Sequence, residues 1–268
     1  MTPTPATKAE VGLSTADRHT SAWFHEHYDD AATQVIDFLG GDGISMAGAD
    51  VADVGCGDGI IDLGVAHRAE PRSLVGFDVI PTDIAALADR SRAEGVGEEL
   101  PGCLSFRTCE PQRLPAEDSS FDFVFTWSAF EHVEDPVAVF REIRRILRPP
   151  GILMLQLWPF YASEHGAHLW GCVADDSYAH LYRAAADIEQ EVRERADHPP
   201  EVLDDLLEVF RTLNKVTLDD LQRAMVASGL RPAKVEILTE TVHVPPELAR
   251  RSLSQLGIAG VKILAVHG

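Results

Sequence analysis

This chain of 268 residues predicts an α/β fold, a mostly parallel, doubly wound sheet with helices on both faces. Three observations point there. Short apolar runs alternate with helix-period segments between residues 50 and 158, the helices carry start and stop signals, and a glycine-rich turn joins the first run to the helix after it.

The elements follow in order. The first fifteen residues, rich in Pro, Thr and Ala, are expected to be loose. In ADRHTSAWFHEHYDDAATQVIDFLG, the residues Trp23, Tyr28, Val35, Phe38 and Leu39 mark one or two amphipathic helices that end at Gly40-Gly41. The period then changes. DVADV (50–54) reads as a buried strand, 58–69 as a helix, SLVGFDV (73–79) as a strand and 82–94 as a helix. CLSFRT (103–108) and FDFVFTW (121–127) are further strands. Asp135 caps the next helix and Pro136 opens it; Val139, Ile143, Ile146 and Leu147 form its apolar stripe, and RPPG stops it. ILMLQLW (152–158) is another apolar strand.

Beyond Pro159 the alternation lapses for about 55 residues, longer than a plain connection. Eleven acidic and three basic side chains lie between Asp175 and Glu208, among helix-like spacings such as Val202, Leu206, Val209 and Phe210. This is the pattern of a helical insertion or lid with an acidic, solvated exterior. From Thr217 the earlier pattern resumes: a helix capped by Thr217 and ended by Gly229, then strands at Val235–Leu238 and Val261–Val266. The expected organisation is an N-terminal helical cap (1–49), a core (50–158), the insertion (159–213) and a C-terminal return to the sheet (214–268).

With 43 acidic and 23 basic residues the formal charge is −20, which disfavours a nucleic-acid partner. No apolar run reaches membrane-span length and the N-terminus has no apolar core of the signal-peptide kind, so a cytoplasmic protein is expected. Cys56, Cys103, Cys109 and Cys172 show no paired short spacing and read as reduced thiols.

The turn in VADVGCGDGIIDLGVA allows a ligand to approach the backbone closely, at the start of a helix with unpaired N–H groups. A dinucleotide fingerprint would place its third glycine at Ile60; here it falls at Gly59. Asp78 ends the second strand where a carboxylate can accept both hydroxyls of a ribose. Asp53 and Asp58 would repel a pyrophosphate but suit a nucleoside bearing positive charge.

VADVGCGDG, LVGFDV and CEPQRLPAEDSSFDFVFTWSAFEHVEDPVAVFREIRRILRPPGILML resemble the class I S-adenosylmethionine-dependent methyltransferases over residues 50–158. The resemblance implies a Rossmann-like seven-stranded sheet with the last strand antiparallel, and S-adenosylmethionine lying across the strands' carboxyl ends. It places Asp53, Gly55, Gly57 and Gly59, with Cys56 among them, at the methionine part, and Asp78 followed by Val79 at the ribose. Glu110, beside Pro111 and Gln112, matches the acid that reaches the adenine amino group. Trp127 and Ser128 would line the floor, with core packing an alternative for Trp127. Trp23, His25 and Tyr28 would close the site, as a helix ahead of the first strand does in related enzymes, with ordinary amphipathic docking of that helix as the alternative. Where the family has Gly-Gly after the fourth-strand helix, this chain has Pro150-Gly151.

Methyl transfer from a sulfonium needs alignment, exclusion of water and, for a hydroxyl acceptor, a base. His132 in SAFEHVED is the first candidate for that base, with ordering of its own loop as the alternative; Glu131 reads as scaffold. In WPFYASEHGAHLWG, the side chains of Trp158, Phe160, Tyr161, His165 and His168 border the acceptor cavity. His165 and His168 lack a carboxylate partner at metal-ligand spacing, so no metal is assigned. The expected function is methylation of a small molecule, a sugar or secondary metabolite, at oxygen rather than nitrogen. A protein methyltransferase and a non-catalytic cofactor-binding module remain as alternatives, and a homodimer is compatible with the reading.

Overall fold

A computed structural model of the chain describes residues 20–169, 171–173 and 176–268; the Pro/Thr/Ala-rich start and Asp175 lie outside them. Seven strands form one sheet in the order β3-β2-β1-β4-β5-β7-β6. β1 (Asp50–Val54), β2 (Ser73–Asp78), β3 (Leu104–Thr108), β4 (Phe121–Trp127) and β5 (Leu147–Leu157) run parallel. β7 (Ile258–His267) lies antiparallel between β5 and the edge strand β6 (Leu230–Thr239). This is the seven-stranded arrangement implied by the resemblance. Strand order reverses between β1 and β4, the place where an α/β sheet opens a crevice at its carboxyl ends.

Both faces are covered, which is why the central strands read as continuous apolar runs. On one face α5 (Pro136–Ile146) and α8 (Leu218–Ala227) set Ile143, Ile146, Leu221 and Met225 against Val124, Leu153 and Ile263. On the other, Val35, Phe38 and Leu39 of α2 (Ala32–Gly40) and Val65 of α3 (Ile60–Ala69) cover Val51, Leu74, Phe125 and Met154. α4 (Ile84–Ala93) follows β2, and α9 (Leu253–Gly257) precedes β7.

Two local departures from simple periodicity mark the chain. α1 (Ser21–His25) runs through a π-helical stretch, Glu26–Ala31, into α2, so one helix contains a wider turn. At its other departure the chain leaves α5 at Ile146 and enters β5 at once, carrying Arg148-Pro149-Pro150-Gly151 in extended form where the register with β4 shifts between Phe121 and Phe123. A side chain at Gly151 would come within 2.9 Å of the carbonyl oxygens of Arg148 and Asp122, so glycine is required there.

In the insertion, α6 (Ala185–Arg195) and α7 (Pro200–Thr212) bury Ile188, Val192, Leu206, Leu207 and Phe210 in an apolar cluster of their own, with Leu169 and Cys172. No helix of the described residues is long and apolar enough to cross a membrane.

Candidate active site

Gly55, Gly57 and Gly59 follow β1 with φ of +89°, +53° and +77°, backbone that other residues rarely adopt. The turn is tied to β2: the N–H groups of Gly55 and Cys56 donate to the Phe77 carbonyl at 2.8 and 3.2 Å. Gly57 N–H donates to Asp78 Oδ2 and Ile80 N–H to Asp78 Oδ1, both at 2.9 Å. Asp78 is therefore held at the strand end before any ligand arrives. A side chain at Gly57 would meet nothing within 4 Å, so an open cradle lies over the turn. At Gly55, by contrast, a Cβ would fall 2.4 Å from that of Ala129, in the loop after β4. Beside Asp78, Val79 and Ile80 are 51% and 72% exposed, an uncovered apolar ledge of the kind a nucleobase can cover. A cradle, a carboxylate at ribose position and an apolar ledge fit S-adenosylmethionine.

These groups open on one cleft of about 2080 Å³, roomy enough for a nucleoside donor and a second molecule. Gly55, Cys56, Gly57, Asp78, Val79, Glu110, Pro111, Gln112, Trp127, Ser128, His132, His165 and His168 all line it. Ile80, Glu131, Gln156 and Glu240 line it too, and were not among the expected donor or acceptor residues.

Three expected donor residues do not reach the cleft wall. Gly59 begins α3 and packs against the Phe106 ring, where a Cβ would be only 2.6 Å away. Asp53 is 2% exposed, beneath the turn. Tyr28 turns inward: its hydroxyl meets His67 Nδ1 at 2.9 Å and its ring stacks on Phe24. His25 is also off the wall, paired with Asp29 at 2.7 Å. Trp23 lines the cleft together with His27, the two rings stacked at 4.0 Å and Trp23 Nε1 donating to Asp58. The π-helical stretch offsets the helix face by a residue, a shift that 3.6-residue periodicity does not anticipate.

At the acceptor end, Ser128 holds φ at +44° and donates through its N–H and Oγ to Gln156 Oε1, each at 2.9 Å. Backbone strain of this kind persists where surroundings enforce it. The turn Phe130–His132 follows, clamped by Asn214, whose Nδ2 donates to the carbonyls of Phe130 and Val133 at 2.6 and 2.7 Å. On this turn His132 is exposed, and its ring lies 5.6 Å from that of His168. Burial drives the His168 pKa down to about 3, with His132 and His180 adding to the shift, so His168 is neutral at physiological pH. Glu131 is 3% exposed, and neither carboxyl oxygen has a hydrogen-bond partner among the described residues. Burial pushes it up to about 8, with only its own backbone amide favouring the charged form. His165 has carboxylate neighbours after all: ligating atoms of Glu164, His165 and Glu240 lie within 4.8 Å of one another. Glu240 is 75 residues downstream, too far for a spacing argument to find.

Residues 52–155 match the family model described as a methyltransferase domain. Residues 52–155 form a methyltransferase domain, set in the fold of the S-adenosylmethionine-dependent methyltransferases. Relatives of this domain include a ubiquinone biosynthesis O-methyltransferase of Xanthomonas oryzae pv. oryzae, 34% identical over 42% of this chain and 44% of that protein. The 27-O-demethylrifamycin SV methyltransferase of Amycolatopsis mediterranei is 29% identical over 51% of this chain and 49% of its own length. The chain thus spans about half the length of the curated relatives it matches. The whole fold resembles the geranyl diphosphate C-methyltransferase of Streptomyces coelicolor A3(2), solved with Mg2+, geranyl diphosphate and S-adenosyl-L-homocysteine, at a TM-score of 0.56 and 16% identity, over 91% of this chain and 80% of that one.

Beneath the glycine turn of the methyltransferase domain, Asp53 meets a second buried acid, Asp62 of α3. Asp53 Oδ1 and both oxygens of Asp62 lack a hydrogen-bond partner among the described residues. Burial holds both carboxyls well above the usual range, and for Asp53 the charge of Asp62 adds to it. An acid with a raised native pKa keeps its proton in the folded chain only, so its contribution to stability declines as pH rises above the unfolded value near 4. Asp62→Asn is therefore expected to stabilise the chain relative to the wild type by at least about 1 kcal/mol more at pH 8 than at pH 4 in urea unfolding. A loss at pH 8 would show that the charged pair is stabilising.

Proposed function

We propose that the chain transfers a methyl group from S-adenosylmethionine to an oxygen of a small-molecule acceptor, a sugar or secondary metabolite. One observation carries the reading: a pre-ordered donor half, the glycine turn with Asp78, shares a cleft with an acceptor half that holds ionisable and aromatic groups. S-adenosylmethionine, when bound, supplies an electrophilic methyl group on a sulfonium centre.

The residues of the chain bind and orient. Asp78 accepts the ribose hydroxyls, Val79 and Ile80 lie along the base, and Glu110 stands on the same wall for its amino group. Trp127 and Ser128 form the floor, and Trp23 with His27 shields the turn from water. Asp58 and Asp78 favour a cationic ligand. At the other end Trp158 and the histidines offer flat apolar surface and polar contacts to an organic acceptor. The two O-methyltransferase relatives support oxygen as the receiving atom.

The chain incubated with methyl-labelled S-adenosylmethionine and a fractionated extract of small metabolites should pass label to a low-mass product, read by mass spectrometry. Label found only in protein would reject the small-molecule acceptor.

A further inference from the structure

We propose that Glu164, His165 and Glu240 form a site for one divalent transition-metal ion, Zn2+ or Mn2+, and that an oxygen of the acceptor completes its coordination. The ion site stands on side-chain geometry, whereas the acceptor's part in it rests on the methyltransferase reading.

The topology brings two distant stretches together. β5 and β6 each pair antiparallel with β7, and Leu157 and Ile237 both oppose Val261, so the two strands end level at the sheet edge that carries the cleft. The residues just past them are pinned to the start of β7: Phe160 N–H donates to the Ala259 carbonyl at 2.8 Å and Glu240 N–H to the Gly257 carbonyl at 3.4 Å. On this base the ligating atoms of the three side chains lie within 4.8 Å of one another. Nitrogen and oxygen ligands sit about 2.0–2.2 Å from such an ion, so opposite ligands are about 4 Å apart and a side-chain adjustment of about 1 Å closes the set. Ser177 Oγ donates to Glu164 Oε1 at 3.0 Å and Trp158 Nε1 to Glu240 Oε1 at 3.4 Å, outer contacts of the kind that orient ligands around a metal.

Charge points the same way. Among the described residues, lysine and arginine reach the cleft wall only at Lys262, 3.5 Å from Glu236, and at Arg113, on the segment of Glu110. Two half-buried carboxylates so close together call for a cation between them. The imidazole turns the set away from Ca2+ and Mg2+, which take oxygen, and toward Zn2+ or Mn2+. Three protein ligands leave a position open, as in catalytic rather than structural zinc sites. All three side chains line the cleft, so that position is filled from it. An acceptor with two neighbouring oxygens, such as a vicinal diol, a catechol or a hydroxy acid, fits an ion held in this way.

The test titrates the full chain, purified without an affinity tag and stripped with EDTA, with Co2+ as a coloured stand-in for Zn2+, read by visible absorption. One equivalent should bind saturably and be displaced by Zn2+. Glu240→Gln and His165→Ala should each weaken binding at least about 10-fold, with S-adenosylhomocysteine affinity retained as the sign of a folded variant. No saturable binding, or binding left unchanged by either substitution, overturns the site: the three side chains then pair only with one another. Acetohydroxamate, which chelates through two oxygens, should change the spectrum of the wild type carrying Co2+. An unchanged spectrum means closed coordination and overturns the acceptor's part. Failure of the wild type to bind S-adenosylhomocysteine, with Co2+ binding intact, would reject the methyltransferase reading and leave the ion site standing.

Discussion

Asp78→Ala is expected to weaken S-adenosylhomocysteine binding by about 100-fold or more in isothermal titration calorimetry. Two effects combine. Hydrogen bonds from two ribose hydroxyls to a carboxylate contribute about 1.5–3 kcal/mol each, and the variant loses both. It also frees the N–H groups of Gly57 and Ile80, which Asp78 fixes at 2.9 Å, so the turn itself loosens. Asp78→Asn keeps the shape and one acceptor oxygen and should lose about tenfold. Wild-type affinity in the alanine variant would rule out the ribose role.

The largest expected effect on folding comes from Gly64→Ala, on the order of 3 kcal/mol, measured by urea or thermal unfolding. The added Cβ would stand 2.3 Å from the Tyr28 carbonyl oxygen and 2.6 Å from Ala32 Cβ. That carbonyl cannot retreat easily, because Arg68 Nη1 donates to it at 2.8 Å and to the Gly64 carbonyl at 3.1 Å. The N-terminal helix would be lifted from α3, and Trp23 and His27 would go with it. A quenched or shifted Trp23 fluorescence should accompany the loss. Unchanged stability would mean that the helix docks by another face.

The central strands were legible because burial on both faces leaves them as unbroken apolar runs bounded by glycine or charge. β6 was read only at Val235–Leu238: an edge strand carrying Arg231, Pro232, Lys234 and Glu236 offers no such run. β5 was read from 152 because Pro149 and Pro150 resemble a break, yet they are accommodated where the ladder shifts register. On the donor side, Asp78 and the glycines follow from local spacing. Asp62 was visible as an acid inside IIDLGVA, a signal passed over. Glu131 was read as scaffold, and the turn that carries it is held by Asn214, 83 residues away, a partner no local spacing shows. Tyr28 was misplaced because a π-helical turn leaves no mark in hydrophobic periodicity.

Gly55 and Ala129 lie so close that a side chain at residue 55 would not fit between their loops. One element belongs to the turn that receives the donor, the other to the loop that leads to Ser128 and Glu131. One methyl group at residue 55 would act as a shim, pushing the two loops apart. An in-line displacement tolerates little change in the span between sulfur and acceptor. An alanine at residue 55 would therefore alter the spacing of the two loops as well as strain the turn.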